Sequence, residues 1–343
     1  MNRKCLGLGI ILLFVGTCII PAIAQDTKKS QSSRGDWLYV GGSGPGNYTS
    51  IQDAIDNASN GDNIYVFSGY YIGNITVSKS LQIIGENQDT TIIDGNGEAI
   101  IINISVNVVK ISGFTLEKGK CFGIYMEWRD SIILSNLTIK NMGEGIFNWM
   151  NSNIIIDNVS FLSNHIGISV YTVYNCNITH CTFSGNDDGI IDSGFYSTTH
   201  DGSLYIIQNI FIHNYRAIDL FWCMDSNGRT IVRKNTFQQN QYGIKLSSCR
   251  KVDIIENNFL NNSEHSFLER HSFVRDTLTF IHFHQNWISN YWDDLNLHLR
   301  YAIPGTWTFY VGFFFWYYPI FKIPYREFDS KPAKEPYDIP GMR

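Results

Sequence analysis

Large apolar residues recur along this chain at intervals of 22 to 28 residues. The series consists of Leu116, Ile139, Phe161, Phe183, Phe211, Phe237, Phe259 and Trp287. Each of the first seven members is followed, seven or eight residues later, by an apolar residue that has a small residue directly before it. These pairs are Gly123-Ile124, Gly145-Ile146, Gly167-Ile168, Gly189-Ile190, Ala217-Ile218, Gly243-Ile244 and Ser266-Phe267. Two series that share one period are typical of a solenoid, in which each repeat packs on the next.

The residues between these positions predict strands rather than helices. β-Branched runs such as Ile154-Ile155-Ile156 and Asp253-Ile254-Ile255 lead into polar corners, and the repeats lack the spacing of an amphipathic helix. Three short strands and three corners together fill about 22 residues, which is one turn of a three-sided, right-handed parallel β-helix. Coils stack about 4.8 Å apart, so residues one period apart lie on top of one another. The predicted fold class is therefore an all-β solenoid.

An asparagine follows each of the later large apolar residues by three positions. The asparagines are Asn164, Asn186, Asn214, Asn240, Asn262 and Asn290. At a corner, an asparagine side chain can bond the backbone of its neighbours and tolerates left-handed conformations. We interpret this series as structural.

The two ends differ from the repeats. Thr49 and Ser50, with Asp53 three residues after Ser50, predict a short helix over the open end of the first coil. At the other end, Tyr301 to Phe321 contains no charged residue and 11 aromatic ones. We expect a C-terminal cap on the last coil here, because an open end would leave apolar surface and backbone groups unpaired. A membrane-interface anchor and a transmembrane helix are the alternatives.

Residues 1–24 have the features of a secretory signal peptide. A short basic start and an apolar stretch precede the small-residue site Ala22-Ile23-Ala24. We divide the remainder into a disordered leader (25–35), the β-helix (36–290), and a C-terminal cap with a Pro-rich tail (291–343). The expected location is secreted or extracytoplasmic.

Charge and cysteine content narrow the choice of partners. The net charge of −5 becomes −7 when Arg3 and Lys4 leave with the signal peptide, which argues against nucleic acid. Five cysteines remain, and we interpret most of them as small apolar fillers of the coils, with one disulfide left open. They are Cys121, Cys176, Cys181, Cys223 and Cys249.

Three segments make this chain resemble a known group. They are the opening segment 39–55 (YVGGSGPGNYTSIQDAI), the element 290–294 (NYWDD) and the tail 332–339 (PAKEPYDI). Together with the coil pattern, they resemble exported pectin-lyase-like β-helix proteins and, more closely, the NosD-like parallel β-helix repeat proteins. The resemblance implies the fold and export. Named members assist copper-site assembly in nitrous oxide reductase, and the wider superfamily cleaves or binds polysaccharide; neither activity follows from a fold alone.

Three repeats are longer than the others, always in the same segment of the coil. The interval from the second series to the next large apolar residue is 15 residues in four repeats and 19 to 21 in three. Insertions in one coil segment emerge on one face, which is often the binding face. This face comprises loops 191–204, 219–230 and 268–280, and its proposed ligand-binding residues are Asp192, Tyr196, Asp219 and Trp222.

The alternative hypothesis is that this face is the active site of a polysaccharide lyase or a glycoside hydrolase. Asp188, Asp192 and Asp219 come from adjacent coils, as the two carboxylates of a glycoside hydrolase would, and Arg216 lies beside them. A lyase would need an acidic calcium site and a basic residue. The simpler interpretation is that the aspartates are solvated corner and strand residues. Aromatic residues that could stack on sugar rings are Trp128, Trp149, Tyr171 and Trp222.

A copper-handling function would depend on soft ligands. Weak candidates are His200, Cys223, Met224, His271, His282 and His284, and a second loose group is Cys176, His180 and Cys181. Neither set has an established metal-ligand spacing. No cofactor is established, and calcium or copper remains open. The sequence therefore predicts an exported binding or scaffold protein for carbohydrate or a cell-envelope component, with peripheral membrane contact through Tyr301 to Phe321 as a further option.

Overall fold

The computed structural model describes residues 36–193, 202–221, 229–273, 285–294, 301–313, 316–329 and 331–339. These residues form one short helix, α1 (Ile51–Asn57), and 29 strands. The first coils contain β1 (Trp37–Val40), β2 (Asn63–Val66), β3 (Gly69–Ile72), β4 (Ile75–Val77), β5 (Gln82–Gly85), β6 (Thr91–Asp94), β7 (Ile100–Ile104) and β8 (Val109–Glu117). The middle coils contain β9 (Phe122–Glu127), β10 (Asp130–Lys140), β11 (Glu144–Trp149), β12 (Ser152–Leu162), β13 (Ile166–Tyr171), β14 (Tyr174–Thr179), β15 (Thr182–Ser184), β16 (Asp188–Ser193), β17 (Ser203–Ile207) and β18 (Ile210–Ile212). The remaining strands are β19 (Arg216–Phe221), β20 (Arg229–Arg233), β21 (Thr236–Gln238), β22 (Tyr242–Ser247), β23 (Val252–Ile255), β24 (Asn258–Leu260), β25 (Glu264–Phe273), β26 (Asn286–Ile288), β27 (Tyr291–Trp292), β28 (Tyr301–Phe313) and β29 (Trp316–Asp329).

The strands form a three-sided parallel solenoid, which confirms the predicted fold class. One side is an eleven-stranded sheet, called sheet B, in the order β4, β7, β9, β11, β13, β16, β19, β22, β25, β28 and β29. The other 18 strands form sheet A, which folds around a corner and supplies two sides. Strand β12 crosses that corner, since it pairs with β14 through Ile154 and Cys176 and with β15 through Phe161 and Phe183. The partners are 22 residues apart, as the period predicts.

A column of phenylalanines fills the inside of the coils. Phe161, Phe183, Phe211, Phe237 and Phe259 are fully buried and lie nearly parallel, with ring centroids 4.6 to 5.0 Å apart. This spacing equals the separation of neighbouring strands, so the backbone ladder itself sets the stacking.

The last member of this column differs from the prediction. Trp292, not Trp287, continues the column, with its ring 4.2 Å from that of Phe259. Trp287 instead pairs with Ile254 on the other side of sheet A. The final coil is longer than the rest, so counting by the usual period selected the wrong tryptophan.

The small residues of the second series are required by the close approach of consecutive coils. A Cβ on Gly145 would lie 2.5 Å from the carbonyl oxygen of Gly167 and 2.9 Å from the ring of Phe161. The prediction is wrong at the end of this series, because Ile244 pairs with Ser266 and not with Phe267. His265 therefore occupies the glycine position of that coil.

The asparagines form two buried columns rather than one. In the first, each amide oxygen accepts the backbone N–H of the preceding member, about 2.9 to 3.0 Å away, through Asn164, Asn186, Asn214, Asn240 and Asn262. The second column, which the sequence analysis missed, has the same bonds through Asn209, Asn235, Asn257 and Asn290. Asn290 was therefore assigned to the wrong column. The structural interpretation of these residues is confirmed, although the left-handed residue is the one before each asparagine, as at Ser163 (φ 53°).

Both ends of the solenoid are covered. Helix α1 begins after Ser50, whose hydroxyl accepts the backbone N–H of Asp53, and it buries Ile51, Ala54 and Ile55. At the other end, β28 continues sheet B in parallel with β25, and β29 returns antiparallel to it. The aromatic segment is thus largely strand, as a cap requires. None of the described helices is long and apolar enough to cross a membrane, and peripheral membrane contact stays a prediction.

The described cysteines carry no disulfide. Cys176, Cys181 and Cys249 are buried inside the coils and Cys121 is half-buried, and all four are free thiols. Burial raises the pKa of Cys176 and of Cys181 to about 12. They act as apolar fillers, as predicted, while Cys223 and the proposed signal peptide lie outside the described residues.

Candidate functional site

The outward side of sheet B carries aromatic and charged groups on consecutive described strands. Stacking of the coils arranges its side chains in three rows. They are Phe122, Glu144, Ile166, Asp188, Arg216 and Tyr242; then Tyr125, Phe147, Ser169, Ile191, Asp219 and Lys245; then Glu127, Trp149, Tyr171, Ser193, Phe221 and Ser247. The intervening residues, such as Ile146 and Ile168, point into the core. The outward rows are thus separated from the core, with a buried pair such as Gly145 and Ile146 between the first two rows and simple alternation after it.

One end of this surface is an aromatic platform, which we define as Phe122, Tyr125, Phe147, Trp149 and Tyr171. Phe147 lies at its centre and contacts the other four rings, with centroid distances of 5.0 to 6.4 Å. The rings of Phe147 and Tyr125 are parallel to within 2°. Trp149 is 39% exposed, and Trp128 on the adjoining corner is 62% exposed. The outward placement of Trp128, Trp149 and Tyr171 agrees with the predicted stacking surface.

Two glutamates flank the platform and are bonded to hydroxyl groups. Tyr125 donates its phenolic hydrogen to Glu127, and Ser169 donates to Glu144 at 2.5 Å. Burial and the Glu127 carboxylate raise the pKa of Tyr125 to about 12. Burial and the negative charge of Glu144 likewise raise the pKa of Tyr171. At neutral pH both phenols therefore remain protonated donors beside carboxylate acceptors.

The middle of the surface is an acid–arginine cluster formed by Asp188, Arg216 and Asp219. Arg216 binds both oxygens of Asp188, at 2.5 and 2.7 Å, and reaches Asp219 at 2.7 Å through its third nitrogen. The Asp188 side chain is 3% exposed and that of Asp219 is 12% exposed. Burial raises the pKa of Asp219, against the lowering effect of Arg216 and Lys245. The cluster brings together three of the four residues predicted as catalytic candidates.

The fourth candidate, Asp192, points the other way. It belongs to the inward row that contains Asn148 and Val170, and it is 8% exposed. Its charge raises the pKa of the buried Cys176 thiol, so the two groups are neighbours inside the coil. Asp192 faces inward because it lies two residues after the inward Ile190, whereas its proposal as a site residue rested on its place in an enlarged loop.

The enlarged loops are shorter than the sequence analysis predicted, since residues 191–193, 203–204, 219–221, 229–230 and 268–273 belong to strands β16, β17, β19, β20 and β25. Strands β16 and β19 end at the paired residues Ser193 and Phe221, and β17 and β20 begin on the next side of the coil. The insertions therefore leave the same corner of the solenoid, beside the row that contains Trp149 and Tyr171. The predicted residues Tyr196, His200, Trp222, Cys223, Met224, His282 and His284 lie outside the described residues, as does the side chain of His271.

The second group of possible metal ligands consists of Cys176, His180 and Cys181, and the structure does not bring these side chains together. The His180 side chain is 49% exposed and bonds Asp157 at 2.7 Å, whereas Cys176 and Cys181 are buried inside the coil. The positive φ of His180 (52°) turns its side chain away from the core. These three residues therefore cannot share one metal ion.

A different group of possible metal ligands lies at the last coil, in the NYWDD element. The Nε2 atom of His265 is 3.0 Å from Asp293 and 3.4 Å from Asp294. On the other side of the ring, the amide nitrogen of Asn262 donates to Nδ1 at 3.2 Å. That amide is oriented unambiguously, since its oxygen accepts the backbone N–H of Asn240.

The proton of a neutral His265 therefore resides on Nε2, where it is donated to Asp293. A metal ion at Nε2 would require the proton to move to Nδ1, against the amide hydrogens of Asn262. His265 is thus a hydrogen-bonded terminus of the first asparagine column, and the donor set does not fit a metal centre.

Comparisons with known proteins identify the fold. No sequence-family model and no curated protein matches the chain. Alginate lyase AlyF-OU02 in complex with G6 superposes with a TM-score of 0.50 and 13% identity, over 75% of this chain and 64% of that one. A PL6 alginate lyase in complex with a trisaccharide superposes with a TM-score of 0.49 and 13% identity, over 71% of this chain and 60% of that one. A rhamnogalacturonan lyase superposes with a TM-score of 0.46 and 12% identity, over 68% of this chain and 84% of that one.

This chain spans less than two thirds of the length of the two alginate lyases. At 13% identity, a superposition of this quality concerns the path of the backbone and not the side chains of a site. The chain therefore has the pectin-lyase-like parallel β-helix fold.

Proposed function

We propose that this protein is an exported carbohydrate-binding protein whose ligand stacks on the aromatic platform of sheet B. The observation that carries this proposal is the mutual contact of five outward aromatic rings on three consecutive strands. An aromatic ring exposed to solvent, as Trp149 is, can bury the apolar face of a sugar, while neighbouring hydroxyls and carboxylates bond its hydroxyl groups. Tyr125, Tyr171, Glu127 and Glu144 supply those groups at the border of the platform.

The test is glycan binding by a double variant, Trp149→Ala with Tyr171→Ala. Truncation of aromatic anchors at an interface costs on the order of 2 kcal/mol, so we expect binding at least about tenfold weaker than wild type. Trp37→Ala is the matched control, because Trp37 is also half exposed but lies on sheet A. Titration calorimetry on glycans selected from an array measures the difference. Equal affinity of the double variant and the control for these glycans would reject the platform as the site.

A polysaccharide lyase or glycoside hydrolase at the acid–arginine cluster is the second candidate. It is favoured by the close contact of two buried carboxyls with Arg216, since burial raises the pKa of Asp219, which is the direction that a general acid needs. Against it, the guanidinium of Arg216 bonds both carboxylates and lies between them, where a hydrolase needs the glycosidic oxygen. Binding without cleavage is therefore the better-supported function.

We expect the wild-type protein to release neither reducing ends nor unsaturated products from polysaccharides that it binds. Chromatography of the incubated glycan measures both. If products appear and are lost in Asp219→Asn, while the control Phe221→Ala on the same strand still forms them, the enzyme function replaces the binding function.

A further inference from the structure

The charge of sheet B narrows the class of carbohydrate that the platform can bind. Strands β9, β11, β13 and β16 contain no lysine or arginine, whereas their outward positions include Glu127, Glu144 and Asp188. Within the described residues, neither Glu127 nor Glu144 has a cation within ion-pairing distance; the partners of both are hydroxyl groups. Each carboxylate therefore has lone pairs left for a ligand beside the partly exposed rings of the platform.

On the neighbouring strands β19 and β22, the cations are already paired. Arg216 bonds Asp188 and Asp219, and Lys245 bonds Glu269 at 3.1 Å. A uronate polymer would bring one carboxylate per sugar to this surface and would find no unpaired cation on these strands to receive it. Like charges at such distances repel, and the repulsion is strongest at low ionic strength.

A protonated amine would be attracted to this surface, whereas a uronate would be repelled by it. Aromatic faces attract ammonium groups through their quadrupole, and a carboxylate beside the ring adds a charge-assisted hydrogen bond. Glu144 lies within interaction distance of Tyr171 and bonds Ser169 beneath the platform, and Glu127 lies beside Tyr125. An aromatic ring and a carboxylate, the two groups that bind an ammonium ion, are thus neighbours at two places on the platform.

We propose that the ligand of the platform is a glycan whose sugars carry free, protonated amino groups. This inference depends on the proposed carbohydrate-binding function and adds the chemical class of the ligand. It separates this protein from two alginate lyases that share its fold.

The experiment compares three oligosaccharides of equal length: glucosamine, N-acetylglucosamine and uronate oligomers. Affinity is measured at mildly acidic pH, where the amine is protonated, and at two salt concentrations. We expect the glucosamine oligomer to bind roughly tenfold more tightly than its acetylated counterpart and the uronate oligomer to bind most weakly. Added salt should reduce the preference for the amine.

The double variant Glu127→Gln with Glu144→Gln keeps the rings and removes both charges. It should bind the two glucosamine-based oligomers with equal affinity, whereas the control Glu335→Gln, in the exposed tail, should retain the preference. Circular dichroism confirms that each variant is folded. An unchanged preference in the double variant overturns the proposal, as does tighter binding of the uronate oligomer.

Arg129 provides a second check. It lies on the corner after β9, and its Nε atom is buried without a hydrogen-bond partner. If Arg129→Gln abolishes binding of uronate while wild type prefers it, the surface is an anion site and the inference is wrong. Equal binding of all three oligomers would reject the inference alone, whereas absence of binding to any oligosaccharide would reject the proposed function with it.

Discussion

Phe237→Asp should abolish cooperative folding of this protein. The ring of Phe237 is fully buried and is stacked between Phe211 and Phe259 at 5.0 and 4.9 Å. Its removal costs about 3–5 kcal/mol for a phenylalanine truncated in a core. A carboxylate left there without a cation adds several kcal/mol more, a sum comparable to the stability of a whole domain.

Urea denaturation followed by circular dichroism measures this loss. Gln238→Asp is the matched control, because Gln238 follows directly on the same strand and is partly exposed. We expect the control to stay within about 0.5 kcal/mol of wild type. A Phe237→Asp protein with the wild-type urea midpoint would mean that the inward assignment of this column is incorrect.

Asp329→Ala should destabilise the C-terminal end by at least about 3 kcal/mol, since each unsatisfied buried donor costs about 1–3 kcal/mol. One oxygen of the fully buried Asp329 accepts the backbone N–H and the amide of Asn290 and the indole N–H of Trp292, at 2.9 to 3.2 Å. Asp329 thereby ends the second asparagine column, as the next asparagine would in a longer solenoid. Its other oxygen accepts the backbone N–H of Lys331 at 3.0 Å.

Two substitutions separate this effect from a general loss of charge. Asp329→Asn keeps the oxygen that serves three donors and should lose less stability than Asp329→Ala. Glu335→Ala removes an exposed carboxylate from the tail and should change little. Hydrogen exchange should show loss of protection first at the amide of Asn290 and the indole of Trp292. Unaltered protection at both groups in Asp329→Ala would contradict the capping role.

Only part of the candidate surface could be predicted from the sequence. Trp149 and Tyr171 were candidates for a stacking surface because they follow the isoleucines of the second series, with burial as the alternative, and both lie on the platform. Phe147, at its centre, was missed, although it directly follows Ile146 and the first residue after a buried strand position points outward. Glu144 and Ser169, 25 residues apart, meet only because the coils stack.

The sequence by itself determined the period, the solenoid class and the phenylalanine column, because each repeats at a spacing that only one stacking geometry satisfies. Tertiary structure decided what happens where the period changes. Trp292 rather than Trp287 stacks on Phe259, and His265 rather than Ser266 takes the glycine position of its coil. Counting assumes a constant offset between coils and strict alternation within strands. At an insertion or a glycine step both assumptions fail, and the side that a residue faces is then decided by which contacts the neighbouring coil offers.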